Sequence, residues 1–152
     1  EDVAGVLEQP FDEAVWLAEA RQIRLDVRIA EGLPPVVLDA GRYRRAVSNI
    51  LSNALKFSRR GGDVLATVEV ESAGGRRWLV LRVADSGPGV PDAVKGQLTE
   101  PYRRFAGSEG VPGTGLGLTV VGAVAAAHGG FIRVEPRADA GGGSVFSLWV
   151  PA

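Results

Sequence analysis

The sequence predicts an α+β fold, a two-layer sandwich in which a mixed, mostly antiparallel sheet carries helices on one face. Three observations lead there. Several short segments alternate apolar and charged residues, as in IRLDVRIA at residues 23–30, and so read as strands buried on one side. Other stretches place apolar residues three and four apart and read as helices with a single apolar stripe. The order is helix, strand, long helix, two strands, loop, helix, two strands, which suits an antiparallel or mixed sheet better than regular alternation of strand and helix.

Taken in order, PFDEAVWLAEARQ (Pro10 to Gln22) has a proline suited to a first helical turn and helical apolar spacing. Residues 23–30 form the alternating strand. VVLD (residues 36–39) reads as a short strand whose Asp39 caps the following helix. From Gly41 to Ser58, Tyr43, Val47, Ile50, Leu51 and Ala54 recur at helical intervals, and the helix ends near RRGG. Strands are expected at Asp63 to Glu71 and Arg77 to Ala84, joined by the hairpin signal SAGGR. A short helical piece, DAVKGQL, then precedes a loop rich in Gly, Ser and Arg. Residues 116–127 read as a helix, and IRVEP and SVFSLWV as two closing strands around an AGGG turn.

The 152 residues, 45% hydrophobic and 23% charged, suit one globular domain spanning 1–152. A formal net charge of −1 lacks the basic surplus that nucleic acid or an anionic membrane would call for, so no nucleic-acid partner is expected. With no cysteine and a single histidine, thiolate metal sites are excluded and any metal should be a hard, oxygen-bound one. No signal peptide or 18-residue apolar run occurs, and the opening EDVAG suggests a piece of a longer protein, cytoplasmic itself though the parent could be anchored in a membrane.

Three stretches carry chemistry. Lys56 and Lys95 are the only lysines among 17 basic residues, and Asn49 and Asn53 are the only asparagines. Asn49, Asn53 and Lys56 lie within roughly 60° of each other on a helical wheel, away from the apolar stripe. An asparagine carbonyl can ligate Mg²⁺, which takes few protein ligands, and a lysine can meet a phosphate; an ordinary solvated helix face is the alternative, although Asn is a poor helix former. The second stretch is DSGPGV, residues 85–90. Asp85 shares strand parity with Leu79, Leu81 and Val83, which aims a carboxylate toward the apolar side, where a ligand's exocyclic amino group could pair with it. A plain turn closing a strand would use the same residues. The third is VPGTGLGLTV, residues 111–120, whose glycines ahead of a helix suit either a phosphate cradle or a hinge. It matches neither the Walker loop nor the dinucleotide fingerprint.

In this order NILSNALKF, DSGPGV, EPYRRF and GTGLGL resemble the nucleotide-binding domain of sensor histidine kinases, within the wider family of gyrase, Hsp90 and MutL ATPases, over nearly the whole chain. The resemblance implies the Bergerat-type ATP-binding fold with ATP and Mg²⁺ as cofactors. Asn53 would be the magnesium ligand and Asn49 its neighbour one turn earlier. Lys56 would reach phosphate, and Phe57, usually tyrosine there, would pack near the adenine. Asp85 would read the adenine amino group, with Gly87, Gly89 and Val90 beside it. Arg104 would approach the terminal phosphate. Gly113, Thr114, Gly115, Leu116, Gly117 and Leu118 would bracket a lid and meet the phosphates. Asn49, Lys56 and Arg104 would be the catalytic set. Thr99 and Tyr102 replace the usual phenylalanines of the lid stretch, which puts lid packing in question.

At Asn49 the gyrase-like ATPases carry a water-activating glutamate, and an amide cannot accept that proton. The implied reaction is therefore transfer of the γ-phosphoryl group to a histidine on a separate helical dimerisation domain, in a homodimeric parent, from which the receiver domain of a response regulator would take it. The isolated domain would be a monomer without autophosphorylation, His128 matching a common residue before a strand. A non-catalytic nucleotide-sensing module, a serine kinase or a slow ATPase of the same fold are the alternatives.

Overall fold

In a computed structural model of the chain, residues 1–87, 114–137 and 143–152 are described. They form helices α1 (Val3–Ala20), α2 (Ala40–Phe57) and α3 (Thr114–Ala127), and strands β1 (Arg24–Ile29), β2 (Asp63–Ala73), β3 (Arg76–Ala84), β4 (Phe131–Pro136) and β5 (Ser144–Pro151). One sheet runs in the order β1-β2-β3-β5-β4. Only β1 and β2 pair in parallel; the other three pairs are antiparallel, so the sheet is mixed and mostly antiparallel as expected.

Alternation puts the core on one face. Val64, Ala66 and Val68 of β2, Leu79, Leu81 and Val83 of β3, and Leu148 and Val150 of β5 are buried together under the three helices. The opposite face carries Glu69 and Glu71 paired with Arg82, and Phe131 stacked on Trp149 with the Arg82 and Arg133 guanidinium groups over the rings. The β2–β3 hairpin turns through Gly74 and Gly75, both at positive φ, the conformation a two-residue turn of matching twist requires.

Two boundaries depart from the sequence expectation. Helix α1 starts at Val3, not at Pro10, because Val3, Val6, Leu7, Phe11, Ala14 and Ala18 complete one buried stripe. Pro10 cannot donate to the Val6 carbonyl, and Arg44 Nε of α2 donates there instead at 3.4 Å, so packing compensates the missing helical bond. The strand expected at residues 36–39 is absent. Pro34 and Pro35 remove two donors just before it, and Val36 exchanges backbone hydrogen bonds with Glu1 rather than with the sheet. Asp39 does cap α2, its carboxylate accepting from the Arg42 N–H at 3.1 Å. The expected helix DAVKGQL lies outside the described residues, as does most of the AGGG turn.

Tyr43 is wholly buried in α2, and its hydroxyl finds no hydrogen-bond partner among the described residues. Burial pushes the phenol's pKa far up, so it stays neutral. Replacing it with Phe removes an unsatisfied polar atom while keeping the ring. Thermal melts of Tyr43→Phe should show unchanged or higher stability, by up to about 1 kcal/mol; a large loss would reveal a hidden partner for the hydroxyl.

Candidate active site

Helix α2 exists because Tyr43, Ala46, Val47, Ile50, Leu51, Ala54 and Leu55 bury one broad face. What remains at its margin is a polar edge in the C-terminal half, where Asn49, Asn53, Lys56 and Phe57 are all half-buried. Asn49 borders a groove of about 310 Å³ between α1 and α2. Asn53 differs from a solvated residue: its Nδ2 is buried and has no partner among the described residues. An amide in that state is a donor–acceptor group left for something else to satisfy.

The strand β3 ends by carrying Asp85 onto the same buried side as Leu79, Leu81 and Val83, and only 4% of the residue is exposed. Its Oδ1 accepts from the Gly87 N–H at 3.0 Å and the Ser144 N–H at 3.1 Å. Its own N–H donates to the Ser144 carbonyl at 2.8 Å. No described residue donates to Oδ2. Burial raises the carboxyl's pKa, while the Gly87 and Ser144 amides and the charge of Arg137 pull it back.

The segment after Asp85 meets the end of α2. Ser86 N–H donates to Ser58 Oγ at 3.0 Å, and a Cβ at Gly87 would stand 2.8 Å from the Phe57 carbonyl, so the close approach of the two segments needs glycine there. Helix α3 packs against α2, and His128, just past its C-terminus, meets the N-terminus of α2: Nε2 accepts from the Asp39 N–H at 3.0 Å. The two helices are therefore antiparallel. Fourteen residues from this contact, forward along α2 and back along α3, lie Asn53 and Thr114, each about 21 Å away at a helical rise. The positive end of α3 therefore lies toward the C-terminal half of α2.

Of the residues singled out in the sequence, Asn49, Asn53, Lys56, Phe57, Asp85 and Gly87 fall at this end of α2. Thr114, Gly115, Leu116, Gly117 and Leu118 form the first turns of α3. Gly89, Val90, Arg104 and Gly113, with Thr99 and Tyr102, lie outside the described residues. His128 has both ring nitrogens engaged, since Nδ1 lies 2.8 Å from the Val124 carbonyl and must donate to it when Nε2 accepts. A wider concavity of about 730 Å³ beside His128, Asp39 and Arg76 lies at the other end of α2 and contains neither the orphaned amide nor the buried carboxylate.

One residue escaped the sequence reading. Arg137, after β4, is buried, with its Nη2 2.7 Å from Asp63 Oδ2 and its Nη1 3.2 Å from the Asp85 carbonyl. A charged residue following a strand reads as an exposed turn, and its partner stands 74 positions away.

Among the described residues no group of three His, Cys, Asp or Glu side chains could cage a metal ion. Mg²⁺ does not need one, because it keeps water and phosphate oxygens and takes only one or two protein ligands. Asn53 can meet that demand through its amide Oδ1, whereas its buried Nδ2 is a donor and calls for an acceptor rather than a cation. No described helix is long and apolar enough to cross a membrane.

Comparison with known proteins shows the family. The profile of the histidine kinase-, DNA gyrase B- and HSP90-like ATPases matches residues 38–152. The alginate biosynthesis sensor protein KinB of Pseudomonas aeruginosa is 30% identical over 99% of this chain and 24% of its own length. The adaptive-response sensory kinase SasA of Prochlorococcus marinus is 34% identical over 91% of this chain and 36% of its own. The chain thus spans about a quarter to a third of these relatives. Among solved structures, the mycobacterial sensor histidine kinase MprB superposes with a TM-score of 0.79 at 29% identity, covering 99% of this chain and 95% of that one. Full-length ShkA in complex with AMPPNP gives a TM-score of 0.76 at 29% identity, covering 100% of this chain and 31% of that one.

Proposed function

Since the chain belongs to the histidine kinase-, DNA gyrase B- and HSP90-like ATPase family, we propose that it binds Mg-ATP at the C-terminal end of α2 and presents the γ-phosphoryl group to a histidine on a separate helical domain. The observation that carries this reading is the Asp85 carboxylate, buried, held at Oδ1 by two backbone amides and without a donor on Oδ2 among the described residues. An adenine N6 amino group is the donor such an acceptor suits, and Gly87 lets a flat ring approach the backbone. Phe57 packs beside the ring. The AMPPNP bound by the related ShkA supports a nucleotide at this fold.

Asn53 holds the cation through its amide oxygen, Asn49 stands one turn earlier, and Lys56 meets phosphate charge as a compact cation. When bound, Mg²⁺ neutralises charge on the phosphate oxygens of the transition state. The N-terminus of α3, from Thr114 through Leu118, offers backbone N–H groups to the same anion. Gly89, Val90, Arg104 and Gly113 are assigned to the nucleotide by resemblance. Because Asn49 is an amide, no general base activates water, and ATP is held for an incoming nucleophile. An imidazole nitrogen attacks the γ-phosphorus, the bond to the bridging oxygen breaks, ADP leaves and one imidazole proton is released. Most of the barrier is met by positioning and charge stabilisation. On this reading the chain is the cytoplasmic catalytic part of a larger dimeric kinase that passes the phosphoryl group to a response-regulator receiver domain.

Two assays test this together. Calorimetry should detect Mg-ATP binding to residues 1–152. With labelled ATP and the parent's helical histidine domain added, label should appear on histidine. Free phosphate release at comparable rate would mark an ATPase instead, and binding without transfer would mark a sensing module.

A further inference from the structure

Among the described residues only two charged side chains are buried, Asp85 and Arg137, and they sit together. A buried guanidinium carries a heavy desolvation cost unless its donors are used. Those of Arg137 are: Nη2 donates to Asp63 Oδ2 at 2.7 Å, and Nη1 donates to the carbonyls of Asp63 at 3.3 Å and Asp85 at 3.2 Å. The Arg137 N–H also donates to the Gly143 carbonyl at 3.2 Å, and a Cβ at Gly143 would collide with the Asp85 carbonyl. The start of β2, the end of β4 and the start of β5 thus converge on one residue. The Asp85 carbonyl is held by Arg137, its N–H by Ser144 and its Oδ1 by Gly87 and Ser144, which leaves Oδ2 without a donor among the described residues.

We propose that Arg137, braced by Asp63, is a positioning residue for nucleotide recognition: it fixes the main chain that presents the purine-reading carboxylate of Asp85. This rests on the reading of Asp85 as the adenine acceptor. Among the described residues, the charged groups at this junction are Asp63 on β2 and Arg137 after β4, and β5 contributes Ser144. Burial works against ionisation here, and the Gly87 and Ser144 amides, followed by the charge of Arg137, oppose it. A plain staple between β2 and the β4–β5 turn would hold the fold without affecting the carboxyl's titration.

The test is calorimetric affinity for Mg-ATP over an acid-to-neutral pH series, for the unsubstituted protein, Arg137→Met, Arg137→Lys and Asp63→Asn, with circular dichroism to establish folding. Differences between proteins cancel the nucleotide's own titration. Arg137→Met should bind about tenfold more weakly at neutral pH, and the acid limb of binding should move upward, because an Asp85 without its cation protonates sooner. Arg137→Lys keeps the charge and should hold the limb near its original place. Asp63→Asn removes a competing carboxylate and should leave the limb unmoved or lower it. An unmoved limb in Arg137→Met, or an upward shift in Asp63→Asn, overturns the proposal. Should Arg137→Met fail to fold, Arg137→Gln, which is neutral but can still donate to the Asp85 carbonyl, carries the same test: its limb should move upward, and an unmoved limb overturns the proposal. If the unsubstituted protein takes up no Mg-ATP, or Asp85→Asn binds as well as it does, the adenine reading itself fails and the proposal with it. Binding that depends on Asp85 but is indifferent to Arg137 refutes the positioning role alone.

Discussion

Asp85→Asn is expected to weaken Mg-ATP binding by at least about a hundredfold, without lowering the melting temperature of the nucleotide-free protein. The substitution keeps Oδ1, which can still accept from the Gly87 and Ser144 amides. It turns the open Oδ2 into an NH₂ group, so a donor faces the donor of the base. The stability half follows from the sign of the pKa shift. Burial raises the carboxyl in the folded state, so the stability associated with the protonated group is complete below its unfolded-state pKa and is lost as pH rises through the folded one. At neutral pH the ionised carboxylate therefore opposes folding, and the neutral amide does not. Asp85→Asn should melt at the same temperature or higher near neutrality, with the difference vanishing in acid. A parallel loss of binding and stability would mean that the residue is structural.

Asn53→Ala should abolish the magnesium dependence of ATP binding and lower phosphoryl transfer to a supplied histidine domain by about a hundredfold. Its side chain is half-buried, one helical turn before Phe57, and its Nδ2 has no partner among the described residues. In the nucleotide-free protein this amide stabilises nothing visible, and Asn is a poorer helix former than Ala by roughly half a kcal/mol. The variant should therefore be slightly more stable than its parent while losing its response to Mg²⁺. Affinities measured with and without the cation, alongside thermal melts, check both halves. An unaltered cation response would remove Asn53 from the metal site.

These two side chains were legible in the sequence for different reasons. Asp85 followed from strand parity, since Leu79, Leu81 and Val83 fix the buried face and the alternation continues past the end of β3. Asn53 stood out because a chain poor in asparagine places both of its own on one flank of an amphipathic helix. The long-period elements α2, β2, β3 and β5 were equally readable, as each buries a regular stripe. Residues 36–39 misled because VVLD has strand composition, whereas the prolines before it and the contact with Glu1 decide its pairing. The start of α1 was misplaced because Pro10 marks a first turn only when nothing else supplies a donor to the Val6 carbonyl, and Arg44 does so from 38 positions away. The parallel pairing of β1 with β2 and the burial of Arg137 depend on residues far apart in the chain, which local periodicity cannot report. The assignments on Gly89, Val90, Arg104 and Gly113 rest on the motif resemblance.

The most direct measurement is a calorimetric comparison of Mg-ATP with Mg-ITP on the unsubstituted 152-residue chain. The two nucleotides differ in the purine's six-position, where a donating amino group is replaced by an accepting oxygen, and share their sugar and phosphates. Recognition through Asp85 Oδ2 requires Mg-ATP to bind at least about a hundredfold more tightly, since a carboxylate facing a carbonyl oxygen loses its hydrogen bond and leaves a buried charge unpaired. Equal affinities, or no uptake of either nucleotide by folded protein, would contradict it.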